Sequence, residues 1–536
     1  MIDILQYALV GIAALLFFSR RSLRYLQYFQ QEEYNGARFL AWYRRYRAFD
    51  TRVTPALLVA LGLGLLLPAG YARAAAFVAA LALALLALFE GDPRKAGKLP
   101  LKLTARAKRI WMLAQALSAV LLIAALALCA RFDATFTACA LYLIVHLQAV
   151  PLFLVLANRL LAPHERRLQQ GFIDEARAIL RRADPVVIGI TGSYGKTSTK
   201  AILGTFLQSV GPTFWPPKSI NTPMGIVREI RERLTPGFRF AVIEMGAYGI
   251  GSIKRLCDLT PPKAALITNI GIMHLERFGS RDAVYQAKSE LARALPADGI
   301  LICNADDPGS RRVADEFPAA TTRLYGIEAT TADFRMTDVE VSPSGSRFRI
   351  HWNGQVYEGA TGLLGRPQLS NLLGAFATAC VLGANPAALL ALAAKLTPQP
   401  HRMALRRDGD VLTIDDSYNS NPVGFAAALE VLGAMPGTRK LLVTPGMIEL
   451  GELQATENRR IAALAATVCD RIVVVGDTNY HALLDGLKDG GAGDDNIIPV
   501  PHRDQAIAYL AANAGAGDVV LWENDLPDVY ESTPRF

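Results

Sequence analysis

Residues Thr191-Gly192-Ser193-Tyr194-Gly195-Lys196-Thr197-Ser198 set glycines, a lysine and hydroxyls in the order that a phosphate cradle needs. Glycine lets backbone N–H groups close on phosphate oxygens, and a helix opening at Lys196 adds the positive end of its dipole. Lys196 then reaches the outer phosphates and the Thr197 hydroxyl is placed for Mg²⁺. Ile190 stands where the longer GxxxxGK[ST] loop carries its first glycine, so this is the shorter G-x-x-G-K-T form. The competing reading is a Gly/Ser turn that happens to precede a helix. Glu244, closing the run Phe240-Ala241-Val242-Ile243-Glu244, is a carboxylate able to hold Mg²⁺ directly or through water. His274, Lys288 and the polar turn Asp415–Pro422 also fall after apolar runs. Taken alone, His274 reads equally as a surface histidine, Lys288 as a solvated lysine and the turn as a plain loop.

These residues need strands to carry them. Strand-like runs occur at 185–190, 239–244, 264–269, 299–303, 411–415, 440–444, 471–476 and 518–523, with helical patterns between many of them. That alternation predicts parallel α/β sheets with chemistry at the strand C-termini. The stretch Leu396-Thr397-Pro398-Gln399-Pro400-His401-Arg402 reads as a linker between two such sheets.

A chain of 536 residues exceeds one core and predicts several units. Its apolar fraction, 51%, is concentrated in residues 1–160. Residues 1–183 carry 23 Lys+Arg against 10 Asp+Glu, whereas the whole chain is only +8, so the rest is acidic. Basic residues set between apolar runs point to anionic lipid rather than nucleic acid. The six cysteines form no CxxC pair, which excludes a zinc ribbon and a disulfide framework.

Five membrane spans are expected near 3–18, 53–70, 73–89, 111–130 and 135–157. The arginine- and lysine-rich loops 19–52 and 90–110 then lie in the cytoplasm, as does everything after about residue 158. Tyr25–Tyr46 mixes aromatics with arginine. It reads as an amphipathic interfacial helix or as a platform for a lipid-linked or anionic substrate.

Taken together, the phosphate loop, Ser219–Gly225, Glu244-Met245-Gly246, Asn269–His274, Ala287-Lys288-Ser289-Glu290, Asn304–Asp307, Asp415–Pro422 and Gly446–Glu452 resemble the Mur ligase family. Within it they are most similar to the D-alanyl-D-alanine-adding, MurF-type branch, over about residues 184–524. The resemblance implies a P-loop central domain at 184–398 and a Rossmann-like C-terminal domain at 399–536. An α-helical membrane domain (1–160) and an amphipathic connector (161–183) precede them, so the fold class is helical membrane domain followed by α/β. It further implies ATP held by Gly192, Ser193, Gly195, Lys196, Thr197 and Ser198. One Mg²⁺ would sit on Thr197 and Glu244, and a second on His274 and a carbamylated Lys288. Lys196, His274 and Lys288 are the implied catalytic set. Asn304 and Asn371 would lie near adenine, and Arg402 and Asp416 near ribose and phosphates. Asn221, Thr222, Tyr418 and Asn421 would position substrate. The implied reaction joins a peptide or lipid-linked carboxylate to an amino-acid or dipeptide amine through an acyl phosphate, at the bacterial inner membrane and on its cytoplasmic side.

The chain departs from the family at three places. Membrane spans stand where the family has a soluble UDP-gripping domain. The segment Gly365-Arg366-Pro367-Gln368-Leu369-Ser370-Asn371 replaces a His-Asn pair with Pro367-Gln368. Finally, Trp522–Asp528 is an acidic turn in place of Lys-Gly-Ser-Arg, suited to a cationic amine. A poly-γ-glutamate or capsule-type synthetase and a catalytically dead membrane scaffold are the alternative readings.

Overall fold

The computed structural model describes residues 2–66, 72–95, 99–131, 136–272 and 275–526. The chain divides into two compact units, the first made chiefly of residues 1–168 and the second of 169–525.

The described residues of the first unit are helical. Ile2–Gln31, Ala105–Arg131 and Val150–Ala183 are its long helices, with Gly36–Arg45, Val53–Leu66, Ala72–Leu88 and Phe136–Gln148 between them. The expected connector 161–183 is the continuation of the helix that starts at Val150. Among the described residues one helix, Ala105–Cys129, is long and apolar enough to cross a membrane. The pair Ala138–Gln148 and Val150–Ala183, bent by 58°, passes the same test only when joined. The described helices therefore do not support the expected five spans. The described parts of the second and third expected spans are Val53–Leu66 and Ala72–Leu88. Residues 67–71, in the expected 53–70 span and beyond it, lie outside the described residues.

The aromatic-arginine stretch also differs from expectation. Tyr25, Phe29, Phe39 and Trp42 are core residues of this unit, with Tyr28 stacked on Trp42 at 4.5 Å. They form neither an interfacial face nor an open platform. Beneath them Arg21, fully buried, pairs with Asp50 and Glu90. Arg24 and Arg52 reach the same Glu90 from the rim at 3.2 and 2.9 Å. The outer faces, by contrast, are apolar: Leu9, Ile12, Leu16, Phe77, Leu81, Val120, Ile123, Val145 and Leu152 are exposed.

Among its described residues the second unit holds two sheets. In spatial order the nine-stranded one runs Thr213–Phe214, Phe240–Glu244, Val186–Thr191, Ala264–Ile267, Ile300–Asn304, Thr321–Gly326, Phe334–Ser342, Gly345–Trp352 and Gln355–Thr361. The first seven strands are parallel and the last two pairings antiparallel. The six-stranded sheet runs Ala404–Asp408, Val411–Asp416, Val519–Glu523, Lys440–Thr444, Arg471–Val475 and Ile497–Val500, all parallel except its first pair.

Helix Lys196–Leu207 buries Ile202, Leu203, Phe206 and Leu207 against Leu372 and Phe376 of helix Arg366–Val381. Each such side chain is worth roughly 1.5–3 kcal/mol of burial. This packing carries Asn371 to the phosphate loop.

Candidate active site

Strand Val186–Thr191 lies between Phe240–Glu244 and Ala264–Ile267. The loop that follows it therefore opens at the C-terminal edge of the sheet, flanked by the ends of two neighbours. Those neighbours hold it. Asn269 takes the Ser193 N–H on its carbonyl and the Tyr194 N–H on its side chain, both at 2.8 Å. The Thr268 hydroxyl donates to Tyr194 O at 2.6 Å. Ser193 Oγ accepts from Gly271 N at 2.8 Å. Gly192 and Gly195 are needed for space: a Cβ on the first would run into the Thr268 hydroxyl, and on the second into the Asn371 amide. Gly195 also has φ +78°, which disfavours any side chain. Ser198 is buried in the first helical turn.

Lys196 Nζ donates to Gly192 O at 2.7 Å and Ser193 O at 3.1 Å. Lys288 Nζ reaches the same Gly192 carbonyl at 2.9 Å. Burial first, then the Lys196 charge, pushes the Lys288 amine far below the usual lysine range. That shift favours the unprotonated amine, the form that takes up CO₂. Thr197 Oγ1 donates to Glu244 Oε2 at 3.0 Å, and Asn221 Nδ2 donates to Glu244 Oε1 at 2.9 Å. A hydroxyl and a carboxylate converging beside a phosphate cradle fit Mg²⁺, which binds through one or two protein oxygens and completes its shell with waters and phosphates. No cluster of three His, Cys, Asp or Glu occurs among the described residues. His274, expected at a second metal, lies outside them.

Tyr194, Gly195, Asn304, Asp306, Pro367, Ser370 and Asn371 line a cleft of about 680 Å³ beside the loop. Asn304 and Asn371 are thus together, and Pro367, from the departing segment, faces the same space. Asn304 Oδ1 is occupied by Asp306 N at 3.0 Å. Thr222 is the N-cap of helix Pro223–Arg233 but makes no side-chain cap bond. Arg402 lies over the Tyr418 ring at 4.3 Å, and Tyr418 Oη meets Ser219 Oγ at 2.6 Å. Asn421 Oδ1 accepts from Gly424 N as the N-cap of Pro422–Ala434.

Asp416 and Glu523 end two adjacent parallel strands in direct register. Glu523 is fully buried and accepts from Ser420 Oγ at 2.5 Å, while its Oε2 has no hydrogen-bond partner. Burial, then the neighbouring Asp416, raises its carboxyl well above the ordinary range. Burial pushes Asp416 up to about 7. Within the acidic turn Glu523 is therefore buried and Asp525 pairs with Arg503 at 2.6 Å, so neither stands open to a cation, while residues 527–528 lie outside the described residues. Because the folded state keeps the Asp416 proton up to about pH 7 and the unfolded chain loses it near 3.8, this group weakens the fold as pH rises through that window. Asp416→Asn is expected to remove up to about 1 kcal/mol per pH unit of that slope. Thermal melts of both proteins from pH 4 to 8 check it.

The structural roles of three participants are not evident from the sequence. Asn269 was seen only as a motif member. Lys200, one helical turn after Lys196, is buried against Glu244 at 3.1 Å. Glu523 sits opposite Asp416. The i, i+4 spacing of the two lysines was the one available signal for Lys200.

Comparison with known proteins agrees with this geometry. Residues 190–379 match the Mur ligase middle domain and residues 401–523 the Mur ligase glutamate ligase domain. UDP-N-acetylmuramoyl-tripeptide–D-alanyl-D-alanine ligase of Mycobacterium tuberculosis is 34% identical over 359 residues, 62% of this chain and 69% of that one. The Escherichia coli enzyme of the same name is 34% identical over 309 residues, 57% of this chain and 68% of its own. Among solved structures, MurF of Thermotoga maritima in complex with ADP matches with TM-score 0.59 and 26% identity, over 67% of this chain and 80% of that one. MurF of Acinetobacter baumannii gives 0.60 and 25%, over 67% and 77%.

Proposed function

Since this chain belongs to the Mur ligase family of ATP-dependent, amide-forming ligases, we propose that it performs a MurF-type ligation in peptidoglycan assembly, at a membrane surface. One observation carries this reading: the Gly192–Thr197 cradle has Lys196, the Thr197–Glu244 pair and a buried Lys288 converging on it beside a cleft of about 680 Å³.

In the proposed mechanism the loop N–H groups and Lys196 take the β- and γ-phosphates, exchanging the loop carbonyls for phosphate oxygens. The cleft at Asn304 and Asn371 takes the base. Asn221, held by Tyr248 Oη at 3.2 Å, keeps Glu244 in place at the acceptor side. A substrate carboxylate attacks the γ-phosphorus and ADP leaves; the amine then attacks the acyl phosphate and phosphate leaves. Mg²⁺ on Thr197 and Glu244 would neutralise charge as carboxylate and phosphates approach. Burial lowers the proton affinity of the Lys288 amine, which suits it to carbamylation; that would turn it into an anionic oxygen ligand for a second ion with His274. Arg402, Asp416 and Tyr418 approach from the second sheet and would help exclude water from the acyl phosphate.

The exposed apolar faces of the first unit and its excess of Lys and Arg favour contact with an anionic bilayer. We propose domains at 1–160, 161–183, 184–398 and 399–536, with the catalytic ones in the cytoplasm. A lipid-linked acceptor is the second reading, favoured by those same faces. The test is ADP release by detergent-purified protein given ATP, Mg²⁺, UDP-N-acetylmuramoyl-tripeptide and D-alanyl-D-alanine. Turnover dependent on both substrates supports the first reading. Nucleotide binding without turnover moves the acceptor to the lipid-linked class.

A further inference from the structure

Glu244 is almost completely buried, and both of its oxygens are engaged. Oε1 takes Asn221 Nδ2, while Oε2 takes both the Thr197 hydroxyl and Lys200 Nζ. Lys200 is as buried as its partner, with 1% of each side chain exposed. Its ammonium is fixed from a second side by Lys218 O at 2.5 Å. A flexible surface lysine would drift away from a carboxylate that acquired another cation. This one is held by helix packing and by that carbonyl.

The charge around Glu244 is lopsided. Lys196, Lys200 and Arg402 all act within this small volume. The other carboxylate that acts on Lys200, Glu229, is already paired with Arg228 and Arg233 at 3.0 and 3.1 Å. Glu244 thus interacts with both Lys196 and Lys200, and Arg402 acts on both lysines, before any ligand arrives. A bare divalent ion approaching Thr197 and Glu244 meets a carboxylate whose charge is already cancelled and two further positive groups. At a few ångströms in a poorly solvated site such repulsion outweighs two oxygen contacts. Nucleotide phosphates bring several negative charges to the same place and reverse the balance.

We infer that Lys200 is the built-in counter-ion of Glu244 and makes divalent-metal binding conditional on nucleotide. The inference rests on the proposed ATP-dependent reading of this site. Lys200 acts through Glu244, so it is a positioning residue. It holds Glu244 oriented and electrostatically quiet until phosphates arrive, which avoids occupation by a metal ion without its nucleotide.

The experiment is Mn²⁺ binding by the full chain, followed by electron paramagnetic resonance, with and without ADP, while ADP binding is measured separately by calorimetry. Wild type is expected to bind Mn²⁺ at least about tenfold more tightly with ADP than without, within the usual range of coupling between two ligands. Lys200→Met is expected to bind Mn²⁺ alone about tenfold more tightly than wild type and to gain thermal stability on adding Mn²⁺. Lys200→Arg, which keeps the charge, is expected to behave as wild type. Equal or weaker Mn²⁺ binding by Lys200→Met overturns the inference. So does wild-type protein that binds Mn²⁺ equally well without ADP, a result that does not depend on the variant folding. Failure to bind ADP at all would instead overturn the nucleotide reading on which the inference stands.

Discussion

Lys196→Ala is expected to lower substrate-dependent ADP release by about 10³-fold while leaving the melting temperature within a few degrees of wild type. The magnitude follows from removing one preorganised cation aimed at charge that develops during phosphoryl transfer. Lys196 is half-buried, and desolvation lowers its proton affinity while Glu244 raises it. Its bonds to the Gly192 and Ser193 carbonyls are not the only ones that hold the loop. The loop backbone is held by Asn269, Thr268 and Gly271, and the helix it opens is fixed by Leu203 and Phe206. The loss should therefore appear in turnover and not in folding. The dead-scaffold reading makes the opposite forecast, with no ADP release above background in either protein. Retention of more than about a tenth of wild-type turnover would remove Lys196 from the phosphoryl step.

Why the loop was legible and other parts were not follows from what each depends on. The loop, Glu244 and the strands that position them lie in short apolar runs followed by small or polar residues. Parallel strands buried on both faces produce just such runs. Strands 185–190, 239–244 and 411–415 accordingly stand within a residue or two of Val186–Thr191, Phe240–Glu244 and Val411–Asp416. The meander Phe334–Ser342, Gly345–Trp352 and Gln355–Thr361 went unseen because it alternates buried and exposed residues, such as Phe348 and Arg349, and has no run to notice.

Long-range pairing was the other blind spot. From the sequence Glu523 reads as part of an acidic turn suited to a cationic amine, yet its register with Asp416 across more than a hundred residues makes it a buried partner. Tyr25, Phe29 and Trp42 failed similarly. An aromatic-arginine pattern fits an interfacial helix and a helix packed inside a bundle equally well, and only the neighbours decide. Span number rested on apolar length along the chain, and among the described residues Ala105–Cys129 alone passes by itself as a helix long and apolar enough to cross a membrane.

Gly195→Ala is expected to weaken ADP binding about 10²-fold and to cost about 1–2 kcal/mol of stability, the cost of a left-handed backbone at a residue with a side chain. Two separate causes combine there. Gly195 is the N-cap of helix Lys196–Leu207 at φ +78°, and an added methyl would collide with the Asn371 amide. A double-mutant cycle separates them. In Gly195→Ala/Asn371→Ala the collision is gone but the backbone strain remains. If crowding by Asn371 dominates, adding Asn371→Ala should recover stability in the Gly195→Ala background, and the two single effects should be non-additive by about 1 kcal/mol. ADP affinity should recover less, because Asn371 belongs to the cleft that takes the nucleotide. Simple additivity in melts and calorimetry would mean that Asn371 yields freely to the methyl and that backbone conformation alone fixes glycine at this position.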